Sequence, residues 1–141
     1  IKIKNMSELK NNFILVHDNN DNSPIAINED YIISIYSIPG KETLVIMNTN
    51  VCNENAIESI GINETPERVY NQLSKSKYIK VHDIRDNTVV VISIKDIITV
   101  YKHMDSYSGK KNVTNIELSD SNNFCVNESV ETVMKLCKGN T

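Results

Sequence analysis

Residues 13–36, FILVHDNNDNSPIAINEDYIISIY, align without a gap on residues 78–101, YIKVHDIRDNTVVVISIKDIITVY. Val-His-Asp, Asp-Asn, an Ile, an Ile-Ile pair and the terminal Tyr coincide, and Phe13/Tyr78, Ser34/Thr99 and Ile35/Val100 are conservative replacements. A second pair of stretches closes each copy. Ile62-Asn63-Glu64-Thr65-Pro66-Glu67-Arg68-Val69 matches Val126-Asn127-Glu128-Ser129-Val130-Glu131-Thr132-Val133 at nearly the same spacing. Two anchors recurring in one order point to an internal duplication, and a duplicated chain builds both halves on one plan. The expected organisation is an N-terminal extension or edge strand over 1–12, a first unit over 13–75 and a second over 76–141. Met6-Ser7-Glu8-Leu9 reads as a natural start, while Ile1 and Ile3 alternate with Lys2 and Lys4 as an edge strand would.

Each unit reads as five short strands followed by a helix. In the first unit the expected strands are 13–17, 24–27, 32–38, 43–47 and 57–62. In the second they are 78–82, 88–92, 97–101, 114–118 and 124–126. Asn, Asp and Ser clusters mark the first turn of each. Thr65 and Ser129 are N-cap residues, and Pro66 suits the first helical position, where its missing N–H costs nothing. Glu67 and Glu131 face the positive end of the helix dipole. Val69 with Leu73, and Val133 with Cys137, form i,i+4 apolar faces extended by Tyr70 and Met134, and Gly139 ends the second helix. The expected class is α+β and β-rich: two tandem meander-plus-helix units, small-barrel-like and packed as a pseudodimer.

The motifs also carry a resemblance. Ile25-Ala26-Ile27-Asn28-Glu29-Asp30-Tyr31-Ile32 and Val126-Asn127-Glu128-Ser129-Val130-Glu131-Thr132-Val133 resemble elements of the small FlbD-like family, which has flagellar and swarming-motility members. The resemblance implies a strand, a turn, an Ile-rich strand and a helix in each copy. It implies no enzymatic activity, so no catalytic residue is carried over. Asp-Asn turns replace the Asn-Gly-like ones, and Ser93-Ile94-Lys95-Asp96 departs from the pattern in the second copy.

Candidate chemistry is thin. Asp18, Asn20, Asn22 and Glu29 fall at positions 1, 3, 5 and 12 of a calcium loop. Ser23 stands where that loop needs Gly, and the second copy has Arg85 and Ile94 at two ligand positions. His17 and His82 occupy equivalent places and would meet only across a pseudo-twofold. Lys102, His103, Tyr107, Lys110 and Lys111 form the one basic segment, a loop for nucleic acid or an acidic partner. A net charge of −3, two Phe, six Tyr and no Trp argue against non-specific nucleic-acid binding. Cys52, Cys125 and Cys137 show no CxxC spacing and read as reduced core thiols of a cytosolic protein. No apolar run approaches the roughly 20 residues that span a bilayer. Catalytic residues, cofactor and resident metal are therefore expected to be absent.

The Ile-, Asn- and Lys-rich composition fits an AT-rich genome, and with the duplication it suggests an interaction or assembly module of a bacterium or phage, located in the cytoplasm or the virion. A protein partner or self-assembly is the expected interaction. The alternatives are a regulatory nucleic-acid-binding protein, and a ligand-binder or enzyme with a site between the copies.

Overall fold

The structure is a computed structural model that describes residues 12–49, 56–104 and 113–139. Its first half contains β1 (Phe13–His17), β2 (Pro24–Asn28), β3 (Ile32–Ser37), β4 (Thr43–Asn48), β5 (Ile57–Ile62) and α1 (Pro66–Tyr70). The second contains β6 (Tyr78–His82), β7 (Val89–Ser93), β8 (Ile97–His103), β9 (Val113–Leu118), β10 (Asn123–Val126) and α2 (Val130–Cys137). Single 3-10 turns at Glu29–Tyr31 and Ile94–Asp96 separate the second and third strands of each half. All described strand pairs are antiparallel, and the class is α+β and β-rich.

Local chemistry accounts for the elements. Along β1, Ile14 and Val16 are buried while Phe13 and Leu15 are exposed, the period-two pattern of a half-buried strand. The turn after β1 closes through Asp18 N–H to Ser23 O at 2.9 Å. Asn22 and Asn87 sit at φ 61° and 60°, a left-handed conformation that Asn tolerates better than most side chains. The aspartates brace the turns by accepting backbone N–H groups two residues on: Asp18 from Asn20, Asp21 from Ser23, Asp83 from Arg85 and Asp86 from Thr88.

Both helices begin as expected. The Thr65 hydroxyl accepts Arg68 N–H at 3.2 Å, and that of Ser129 accepts Thr132 N–H at 3.1 Å. Gly139 takes φ 78° immediately after the second helix, which ends it. Val69, Leu73 and Val133 are buried. Met134, expected on the buried face, points to solvent at 42% exposure, and Leu136 with Cys137 packs there instead.

A central sheet runs β5-β4-β3-β7-β6, flanked by the β1-β2 hairpin and a β10-β9-β8 sheet. Isolated bridges Asp18↔Ile62 and Asp83↔Val126 tie β1 to β5 and β6 to β10. Alternate residues of the central strands feed two cores on its opposite faces. One holds Ile14, Val16, Ile35, Val45 and Val91; the other holds Ile33, Ile46, Val81, Ile92 and Val133. Each core thus draws on both halves.

The joint between the halves pairs β3 with β7 through Ser34↔Ile92 and Ile35↔Val91. It sets the third strand of the first half against the second strand of the other. That relation is head-to-tail, and not the two-fold packing the sequence suggested. No described helix is long and apolar enough to cross a membrane.

Candidate functional site

The two sequence anchors touch. The His17 backbone N–H donates to Glu64 Oε1 at 2.9 Å, and His17 Nδ1 lies 2.6 Å from Glu64 Oε2. The second half repeats this at 3.0 and 2.6 Å between His82 and Glu128. Asn63 Nδ2 donates to Asn22 Oδ1 at 2.7 Å, and Asn127 Nδ2 to Asn87 Oδ1 at 2.7 Å. Backbone bonds run alongside, from Asn63 N–H to His17 O and from Asn127 N–H to His82 O, both 2.9 Å. The residues just before each helix therefore clasp the first turn of the same half. Burial pushes the Glu64 carboxyl up, but the His17 ring and backbone donors outweigh it and hold the group below its usual range.

This arrangement uses both ends of each glutamate in structure. His17 and His82 are each held by a glutamate of their own half, and no described contact joins the two rings. Sequence reading singled out the histidines and missed Glu64 and Glu128. The available signal was that Val-His-Asp and Asn-Glu-Thr/Ser recur together, as contacting elements would.

The calcium-loop residues do not converge. Asp18 accepts Asn20 N–H, and Asn22 accepts from Asn63. Glu29 lies beyond the far end of β2, and five strand residues put it on the order of 15 Å from the turn. It is wholly buried, accepts Ser74 N–H at 3.3 Å through Oε1, and has Lys77 Nζ 3.8 Å from Oε2. Its backbone carbonyl accepts the Tyr78 hydroxyl, whose pKa burial raises well above the ordinary phenol value. Glu29 thus anchors the link between the halves. Among the described residues, no group of three His, Cys, Asp or Glu side chains is placed to hold a metal.

Lys102 and His103 end β8 and are exposed, with the His103 ring edge-on to Tyr101 at 6.3 Å. Tyr107, Lys110 and Lys111, like Cys52, lie outside the described residues. Cys125 Sγ lies 3.5 Å from Asn115 Oδ1. Cys137 is half-buried, and burial raises its thiol pKa, which opposes reactivity.

The largest contrast between the halves lies at two strand edges. Among the described residues, β2 pairs only with β1 and β8 only with β9. Their counterparts at the joint, β7 and β3, are covered. Ile33 is 1% exposed, whereas Ile98, at the matching position of β8, is 64% exposed. Tyr101 is 39% exposed, and Met104 just beyond the strand 76%. Beside the free edge of β2 lies a shallow apolar groove lined by Ile25, Ile27, Met47 and Ile60 among others. The chain matches no family model, no curated protein and no solved structure in the three comparisons made.

Proposed function

We propose that this chain is a tandem duplication of one β-meander-plus-helix unit, serving as a non-enzymatic interaction or assembly module. The observation that carries the reading is a pair of edges, β2 and β8, left unpaired among the described residues and each flanked by exposed apolar side chains. An open edge with apolar neighbours is a template for strand addition. Two further features support it. The catalytic-looking histidines and aspartates are engaged in turns and clasps. The element order strand, strand, 3-10 turn, three strands, helix occurs twice, with matching registers around each clasp. The FlbD-like resemblance and the AT-rich composition belong to the same proposal, that of a bacterial or phage protein, for example a virion or accessory component.

Size-exclusion chromatography with light scattering, combined with affinity capture from a bacterial host, tests the reading. The expected result is self-association or a defined partner; a strict monomer that captures nothing counts against it. The nucleic-acid alternative rests on Lys102 and His103 among the described residues, in a chain of net charge −3. Salt-dependent binding would be its signature.

A further inference from the structure

We infer that the open edges bind each other between chains: β8 of one copy pairs with β2 of the next, repeating the joint that β3 and β7 already make within the chain. This rests on the assembly reading and names its partner, a second copy of this chain.

The argument comes from the internal joint. There, β3 pairs antiparallel with β7 at Ser34↔Ile92 and Ile35↔Val91. Ile33 enters the second half's core beside Ile92, and the Tyr36 ring packs edge-on against Phe124 at 5.4 Å. The ungapped alignment places Thr99 and Val100 of β8 where Ser34 and Ile35 stand, and Ala26 and Ile27 of β2 where Val91 and Ile92 stand. The intermolecular register is therefore Thr99↔Ile27 and Val100↔Ala26.

The side chains fit the same exchange. Ile98 and Tyr101, 64% and 39% exposed in the single chain, match Ile33 and Tyr36. The bridges Asp18↔Ile62 and Asp83↔Val126 align β5 with β10, so Ile60 matches Phe124. Ile60 lines the groove beside β2, and Tyr101 of the neighbour would lie on it. Charge agrees as well. Within the chain, Tyr36 to Pro39 line a cleft against Asp83, Ile84 and Arg85. The matching contact sets Lys102 and His103 against the Asp18–Asp21 turn, basic against acidic.

An interface between unlike edges leaves one of each free at the ends of any open assembly. Copies then add head-to-tail until a ring closes or a filament grows.

Two measurements test this. Light scattering should give the wild type a mass of at least twice 16.0 kDa, and the I98K/Y101K chain, still folded by circular dichroism, a mass of 16.0 kDa. Neither residue belongs to the two cores; Y101K gives up the bond from Asn115 Nδ2 to the Tyr101 hydroxyl at 3.0 Å, which is why the fold is checked by circular dichroism. Separately, A26C and V100C chains mixed under mild oxidation should form a disulfide linking positions 26 and 100, read by mass spectrometry. Neither variant alone should give that link. A multimer that ignores I98K/Y101K, or a mixture without the link, overturns this joint and leaves the assembly reading standing. A wild-type monomer also overturns it, as it would if the edges were covered from within the chain. A monomer that also captures no host protein overturns both.

Discussion

The Glu64 carboxylate accepts both the backbone N–H of His17 and its ring nitrogen, so E64A removes two bonds in one step. The side chain of Glu64 is 11% exposed and that of His17 38%. A partly buried backbone N–H left without an acceptor costs about 1–3 kcal/mol. The ring bond is charge-assisted but half-wet, so water replaces much of it and its share is below about 1 kcal/mol. Together these give an expected loss of about 1–4 kcal/mol at neutral pH. E128A should lose a similar amount, because His82 and Glu128 repeat the geometry. E67A is the control: its carboxylate is 58% exposed to solvent beside Lys80, and it should change stability by less than about 0.5 kcal/mol. Urea unfolding followed by circular dichroism measures all three. The pH dependence is a second check. The folded Glu64 carboxyl lies below its unfolded value of 4.5, so its contribution is present above that value and is lost as pH falls through the folded pKa. The gap between wild type and E64Q should therefore be present at neutral pH and shrink in acid. An E64A chain as stable as wild type, or an E64Q gap that is unchanged in acid, refutes the clasp as a stabilising device.

Other outcomes follow from particular residues. N22V should destabilise by about 1–2 kcal/mol or more, because a β-branched side chain is forced into the left-handed region and the Asn63 bond is lost; N22G should cost less. T65A and S129A should each cost about 1 kcal/mol in chemical unfolding, through loss of an N-cap acceptor. I33A, beside the joint and 1% exposed, should cost about 2–5 kcal/mol, whereas I98A, at the matching position and 64% exposed, should leave single-chain stability within about 0.5 kcal/mol. Cys137 should alkylate with iodoacetamide more slowly than a free thiol at neutral pH, and acceleration by sub-denaturing urea would show that burial is the cause.

The strands and helices were legible because their causes are local. Alternation at Ile14 and Val16, Asn at the left-handed positions 22 and 87, and the Thr65 and Ser129 caps act within a few residues. The expected strands 13–17, 57–62 and 78–82 coincide with the observed ones, and the others differ by a residue or two at their ends. The 3-10 turns at Glu29–Tyr31 and Ile94–Asp96 were missed, since a single turn leaves no periodic pattern. The clasp was half legible: both anchors stood out as repeats, but His17 and Glu64 are 47 residues apart, and only folding shows that they touch. The meeting of the halves was not legible at all. Ile33 and Ile98 occupy equivalent places in the matching stretches IISIY and IITVY, yet one is buried and the other exposed. Local preference cannot separate them, because the difference lies in what packs against them: β7 covers β3, and no described strand covers β8. The sequence by itself determined the strands, their turns and the helix caps; the tertiary pairing of β3 with β7 decided which edges were closed and which stayed open among the described residues.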